Sequence, residues 1–147
     1  MPAPVRLRIP SINVDSPLAL LDRNPDGTVQ LPPDLGQAGW YRRGVPPGDI
    51  GTAVIMGDVG SPPTPGVFSR LSGVHGGDSI RIQRAEGTEL LFIAQRSLAF
   101  SRSAFPAAEV YRGGGGPELR LFTCGGTAAS GGSPIPSDVV VFATLSG

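Results

Sequence analysis

One residue of this chain stands out for its chemistry, the single cysteine at position 124. It lies in the run Leu119–Gly126, where apolar and polar residues alternate up to the thiol and two glycines follow it. Alternation with a period of two is typical of a β-strand, and glycine lets a ligand backbone approach closely. The pattern predicts a nucleophile at the exposed end of a strand.

A cysteine nucleophile needs a neighbouring group that favours its thiolate. A free thiol, with a pKa of about 8.5, is only a few per cent ionised at neutral pH, and catalytic cysteines gain from a nearby cation. His75 is the only histidine and lies in the turn-like segment Gly73–Asp78, which favours a surface position. Arg120 shares the predicted strand face of Cys124 but lies four residues before it, which favours a structural ion pair. Spatial adjacency cannot be read from sequence, so a role for either residue beside Cys124 stays open.

The elements that would position Cys124 are short strands separated by glycine- and proline-rich turns. Asp138–Thr144 is nearly all valine and alanine, which predicts a central strand. Other strands are predicted at Val5–Ile9, Thr28–Leu31, Ala38–Arg42, Thr52–Met56, Ser79–Arg84, Leu90–Phe100 and Glu118–Thr123, with a short extended piece at Ile12–Val14 and an apolar run at Pro17–Leu21. Gly60–Gly66 is predicted to be a loop, Val67–Leu71 a helical turn and Phe105–Val110 a short helix. An all-β barrel of about eight strands would remove exposed strand edges at this size.

Length and composition exclude several classes of protein. The 147 residues favour one domain spanning 1–147. A net charge of zero argues against a nucleic-acid binder. One cysteine excludes an internal disulfide and a cysteine zinc cluster, and the acidic residues lack calcium-loop spacing, so no cofactor and no metal are expected. No run reaches the ~18 apolar residues of a membrane span, and we expect any N-terminal membrane anchor to lie outside this chain.

Nine segments together carry a resemblance to a known family. They are Arg8–Val14, Gly39–Tyr41, Pro47–Ile55, Gly66–Phe68, Gly77–Asp78, Phe105–Pro106, Val110–Tyr111, Leu119–Gly126 and Val139–Ala143. In order and spacing they resemble the sortases, cysteine transpeptidases of Gram-positive cell surfaces, and most of all the class F group of actinobacteria. Nearly the whole chain is covered.

The resemblance implies a fold, a reaction and partners. The fold would be a sortase-type eight-stranded β-barrel with one or two short helices. Sortases attack the Thr–Gly bond of a sorting motif such as LPXTG with a cysteine thiolate and pass the acyl group to an amine of the cell wall or a pilin. By resemblance, Cys124 is the nucleophile and the peptide groove lies between its strand and the connection Phe100–Pro117. The expected partners are a sorting-signal peptide or surface protein, and the expected location is the outer face of the membrane or the cell wall.

The chain departs from the sortase pattern at two positions. Asp58 follows the strand Val54–Gly57, where sortases carry a catalytic histidine, and a plain loop residue that caps a turn is the favoured interpretation of it over a catalyst. Ser133–Asp138, where sortases carry an arginine, contains none. A carboxylate near Cys124 would raise the thiol pKa, and Asp58 could act as an acid only if it stayed protonated at neutral pH. Losing a general acid costs ~10²–10⁴ in rate and losing an oxyanion donor ~10²–10³, although such losses are not additive.

Three functions are consistent with these residues. The first is a catalytically impaired sortase, a pseudoenzyme that still binds a sorting-type peptide or surface partner. The second is an active transpeptidase whose acid is Asp58 or His75. The third is a barrel with a purely structural role at the cell surface. The first is the favoured interpretation.

Overall fold

Eight strands close into one barrel in the computed structural model of this protein. The structure describes residues 3–22, 25, 36–42, 45–58, 60–61, 64–101, 116–124 and 137–146. The strands are β1 (Pro4–Ile9), β2 (Val14–Leu21), β3 (Ala38–Tyr41), β4 (Gly51–Asp58), β5 (Gly60–Ser61), β6 (Thr64–Pro65), β7 (Ser79–Arg84), β8 (Glu89–Ser101), β9 (Pro117–Cys124) and β10 (Ser137–Leu145). The prediction of an all-β, eight-stranded barrel is confirmed.

The order of strands around the barrel is β1-β2-β3-β4-β9-β10-β8-β7, and β7 pairs with β1 to close it. Two neighbouring pairs are parallel, β2 with β3 and β4 with β9. β10 lies between β8 and β9, so the prediction that the valine-rich strand is central is confirmed. Strands β5 and β6 form a separate small hairpin.

The interior of the barrel is filled by alternate residues of its strands. Leu7 and Ile9 of β1, Ile80 and Ile82 of β7, and Leu119 and Leu121 of β9 are completely buried in one core cluster. This is the period of two expected when one face of a strand is buried. Phe68 and Leu71, from the turn that follows β6, are buried in the same cluster.

The outer surface of β4, β9 and β10 is also apolar. Val54, Phe122, Val140 and Phe142 form a second buried cluster, and Tyr41, Met56 and Leu98 pack against it. Strands apolar on both faces are typical of sheets covered on both sides. This side of the barrel therefore carries two apolar layers, one inside and one outside.

Two local predictions differ from the structure. Ile12–Val14 was expected to be extended, but Pro10–Ile12 is a 3-10 helix. Pro10 fixes the backbone for the first turn, and Asn13 ends it in the left-handed conformation (φ 57°) with its N–H donating to the Pro10 carbonyl. Gly60–Gly66 was expected to be a loop but contains the β5–β6 hairpin.

The remaining predictions fall into two groups. Val67–Leu71 was predicted as a helical turn; residues 67–70 form a turn and Leu71–Gly73 a 3-10 helix. The predicted strand Thr28–Leu31 and the predicted helix Phe105–Val110 lie outside the described residues. Within the described residues, no helix is long and apolar enough to cross a membrane.

Candidate active site

The candidate site is built on the parallel strands β4 and β9. Parallel neighbours end at the same edge of a sheet, and Asp58 and Cys124 are the last residues of these two strands. The register makes Asp58 and Cys124 Cα partners, and adjacent strands lie about 4.8 Å apart. The two residues that sequence analysis selected are therefore next to each other in the sheet.

The end of β4 is held by the turn that follows the β5–β6 hairpin. The N–H of Phe68 donates to the Asp58 carbonyl at 3.0 Å. Gly57 faces the interior, where an added Cβ would lie 2.6 Å from the Phe68 ring and 2.7 Å from Val67. Only glycine allows this close packing, which fixes the backbone directly before Asp58. Asp58 is thus a strand residue, and the interpretation of it as a loop residue is wrong.

The end of β9 is held by a side-chain hydrogen bond to β10. Thr123 is buried, and its Oγ1 accepts a hydrogen bond from the Val139 N–H at 2.9 Å. The last backbone pair between the strands is Val140 with Phe122, so the threonine keeps β9 and β10 together beyond the ladder. Cys124 follows directly.

β10 places a second residue with a carboxylate side chain beside Cys124. Continuing the β9–β10 register two residues past its last pair places Asp138 opposite Cys124, and the bond between Thr123 and Val139 shows that the strands are still adjacent there. Asp138 also pairs with Phe100 of β8. Cys124 therefore has an aspartate as its strand neighbour on both sides. The absence of an arginine in 133–138 is evident from the sequence, but the position of Asp138 beside Cys124 is not, because pairing registers are not visible in a sequence.

His75 lies far from Cys124. It is exposed, and the turn that contains it is bonded to β8, since the Gly77 N–H donates to the Ala94 carbonyl at 2.8 Å. Ala94 pairs with Ala143 of β10, and Ala143 pairs with Leu119 of β9. Leu119 lies five residues before Cys124, about 17 Å along a strand. The favoured surface position of His75 is confirmed, and the structure does not bring it to the site.

Arg120 forms the structural ion pair that was expected. Its Nη2 lies 2.9 Å from Glu118 Oε1, and the two side chains are only 3% and 11% exposed. Nη1 donates to the Leu119 carbonyl at 3.1 Å, and the guanidinium stacks on the Phe142 ring at 4.5 Å from its centroid. These contacts fix Arg120 within the outer apolar layer, four residues before Cys124.

The remaining site predictions concern the groove and bound groups. The connection Phe100–Pro117, expected beside the groove, lies largely outside the described residues, as does the part 133–136 of the segment that lacks the arginine. Among the described residues, no group of three or more His, Cys, Asp and Glu side chains could hold a metal ion.

Comparison of the sequence with models of protein families identifies a family with this barrel. The family model for the sortase domain matches residues 7–146, almost the full length of the chain. The chain belongs to the sortase family. The resemblance drawn from its motifs is confirmed at that level.

Solved structures show the same barrel. This sortase domain superimposes on sortase C1 of Streptococcus agalactiae, solved in complex with MTSET, with a TM-score of 0.69, 20% identity, and coverage of 97% of this chain and 67% of that one. Sortase A of Corynebacterium diphtheriae gives a TM-score of 0.71, 20% identity, and coverage of 99% and 61%. Sortase C-1 of Actinomyces oris gives a TM-score of 0.68 at 17% identity, with coverage of 97% of this chain and 73% of that one.

These likenesses establish the fold of the sortase domain. The chain spans about two thirds of the length of the solved sortases it matches. No curated protein matches it significantly.

Proposed function

We propose that this chain is a catalytically impaired sortase domain that keeps the nucleophile position but lacks the groups that activate it. The strand register carries the proposal, because it puts Asp58 and Asp138 on the two strands that flank Cys124. By resemblance, active sortases have a histidine at position 58 and an arginine within the segment 133–138. The histidine is replaced by a carboxylate residue, and the segment that lacks the arginine ends in a second one, Asp138.

The first consequence concerns the thiolate. Nearby negative charge raises the pKa of a thiol, whereas catalytic cysteines depend on a lowered pKa. With carboxylates on both neighbouring strands, the Cys124 thiol would be less ionised at neutral pH than a free cysteine. Fewer molecules would carry the nucleophile at any moment.

The second consequence concerns the acyl-transfer steps. The leaving amine needs a proton, and an aspartate that is ionised at neutral pH has none to give. The tetrahedral intermediate needs a hydrogen-bond donor for its oxyanion, and an ionised carboxylate would repel it instead. Losing a general acid costs ~10²–10⁴ in rate and losing an oxyanion donor ~10²–10³, and the two losses overlap because the groups act as one unit.

The binding function is proposed to survive. Val54, Phe122, Val140 and Phe142 form a buried apolar layer that supports the ends of β4 and β9 and the start of β10, where the candidate site lies. We propose that a sorting-type peptide or a surface partner binds at this end of the barrel. We further place the domain, by its motifs, among class F sortases of actinobacteria, at the outer face of the membrane or in the cell wall.

The deciding experiment restores the missing groups. The unmodified chain, Cys124→Ala and the double variant Asp58→His/Asp138→Arg are incubated with LPXTG-type peptides and a glycine or diamino acceptor, and products are measured by mass spectrometry. We expect little Cys124-dependent product from the unmodified chain and an increase of about 10²-fold or more from the double variant. Asp49→His, two residues before the start of β4 and so at the opposite end of that strand from Asp58, is the matched control and should give no increase.

A second candidate function follows from the same register. Because Asp58 is the strand neighbour of Cys124, an active transpeptidase that uses Asp58 as its acid is the alternative. It requires robust Cys124-dependent turnover by the unmodified chain and its loss in Asp58→Ala. Turnover that survives Asp58→Ala would exclude this alternative, and robust turnover of any kind would exclude impairment.

A further inference from the structure

An open cavity of about 420 Å³ lies at the barrel end that carries Asp58 and Cys124. Three separate parts of the chain form it: the connection from β1 into β2, the residue Gly36 before β3, and the turn 66–70. The register shows why they meet, since the start of β3 lies beside the end of β4 and the start of β2 lies beside the start of β3. No motif in the sequence indicated this cavity.

The floor and the rim of the cavity differ in chemistry. Ile12 and Val14 are core residues, and Val67 packs against the core, so the floor is apolar. The rim carries the side chains of Asn13, Ser69 and Arg70, all exposed. The cavity can therefore hold a ligand that has an apolar part and a polar part.

Arg70 supplies the rim's available charge. Within the described part of the chain, its guanidinium has no ion-pair partner, and the side chains of Asn13 and Ser69 make no hydrogen bond. Asp15 also lines the cavity, but its carboxylate is bound by Arg6 at 2.6 Å and by Arg8 at 3.5 Å. The charge left to interact with a ligand is thus positive.

We propose that this cavity binds a peptide carboxylate that lies beside an aliphatic group, as at the C-terminus of a peptide ending in a residue such as leucine. Arg70 would pair with the carboxylate, Asn13 and Ser69 would donate hydrogen bonds to it, and the aliphatic group would rest on Ile12, Val14 and Val67. The choice of a peptide as the ligand rests on the proposed function. Binding of the carboxylate in the cavity does not depend on whether the domain is catalytically active.

A carboxylate suits the rim better than a phosphate. Both anions accept paired hydrogen bonds from a guanidinium. A phosphate group, however, carries up to two negative charges, and among the residues that the structure describes the rim offers one unpaired cation, with the Asp15 carboxylate nearby. The second charge would meet a like charge instead of a partner.

Two variants test the site without disturbing the backbone. Gly36→Leu should fill the cavity, because a Cβ there meets no atom within 4 Å and the residue is outside the left-handed region. Asn13→Gly should remove the amide and keep the left-handed backbone (φ 57°), which glycine adopts freely. Arg70→Gln removes the charge, and Arg42→Gln, at the far end of β3, is its control.

The measurement is a titration of the ¹⁵N-labelled chain with N-acetyl-leucine, followed by amide chemical shifts. We expect shifts centred on Asn13, Asp15, Gly36, Ser69 and Arg70, with a Kd on the order of millimolar. Arg70→Gln should weaken binding about tenfold or more, Asn13→Gly should weaken it less, Gly36→Leu should abolish it, and Arg42→Gln should leave it unchanged.

Three results would overturn the proposal: equal binding of N-acetyl-leucinamide, tighter binding of inorganic phosphate, or shifts located elsewhere on the barrel. None of them bears on impairment, because the titration involves neither Cys124 nor turnover. Conversely, robust turnover by the unmodified chain would refute impairment and leave the titration result intact. The two proposals therefore fail separately.

Discussion

At the residue scale, the strand register, more than the order of residues along the chain, decides which charged residues lie next to Cys124. Asp58 and Asp138 are distant from position 124 in sequence, yet the register places each on an adjoining strand. Arg120, the nearest cation in the sequence, is bound to Glu118 and stacked on Phe142. The chain has an arginine close to its cysteine, but that arginine is used to stabilise the fold.

The reactivity of the thiol tests this arrangement directly. Cys124 is the only cysteine, so alkylation by iodoacetamide reports on it alone. We expect its rate to rise with pH to a midpoint above the free-thiol value of about 8.5. Asp58→Asn and Asp138→Asn should each lower the midpoint by on the order of half a pH unit, because each removes one negative charge. Asp49→Asn should not move it, and a midpoint below pH 7.5 in the unmodified chain would contradict the proposed environment.

The buried pair of Arg120 and Glu118 makes a separate prediction. Removing one partner leaves a charge in an apolar layer, which typically costs about 3–5 kcal/mol, whereas replacing both with apolar residues is often neutral. We expect Arg120→Met to lower the free energy of unfolding strongly and Glu118→Leu/Arg120→Met to recover most of the loss. Urea denaturation of Arg120→Met, Glu118→Leu and the double variant measures the coupling free energy between the two side chains. Additive losses would show that the pair does not act as a unit.

At the scale of elements, the sequence was informative about strands and silent about their pairing. Ser79–Arg84 was predicted with its observed bounds because its alternation is regular and glycines precede it. Pro10–Ile12 was missed because a 3-10 turn between two strands has no period of its own. Asp58 was assigned to a loop because Gly57 resembles a strand end, whereas the glycine is required by Phe68 packing against it. Half of the candidate site, the placement of Asp138, depends on register and could not be predicted.

The contact between Gly57 and Phe68 predicts the effect of a substitution near the end of β4. Gly57→Ala would place a Cβ 2.6 Å from the Phe68 ring, which is fully buried and cannot move aside freely. Overpacking of this kind costs about 1–3 kcal/mol. We expect a lower melting temperature and loss of amide protection at Phe68, whose N–H bonds the Asp58 carbonyl. Gly36→Ala, where a Cβ meets no atom within 4 Å, is the control, and equal stability of the two variants would refute the role of Gly57.

At the scale of the whole molecule, the barrel exterior has two different sides. The side formed by β4, β9 and β10 is apolar and ends at Asp58, Cys124 and Asp138. The side formed by β2, β1, β7 and β8 carries an ion-pair network, with Arg8 shared by Asp15 and Glu89 and Glu89 shared by Arg8 and Arg81. A domain of zero net charge thus keeps solvated charge on one side, whereas the apolar residues of the other side are buried.

The charged side predicts how stability depends on pH. The Arg6 side chain, hydrogen-bonded to Asp15 at 2.6 Å, holds the pKa of Asp15 below its ordinary value of 3.8, and the charges of Arg6 and Arg8 add to this. The folded chain therefore releases this proton more readily than the unfolded chain, and the resulting stability is present above pH 3.8 and lost as the pH falls through the lowered pKa. Asp15→Asn should lower the melting temperature at pH 7, and the decrease should be smaller in 1 M salt. Below pH 3.8 the difference in melting temperature between the variant and the unmodified chain should shrink. Asp49→Asn is the control. A difference in melting temperature for Asp15→Asn that persists unchanged in acid would show that the charge of Asp15 does not stabilise the pairing of β1 with β2.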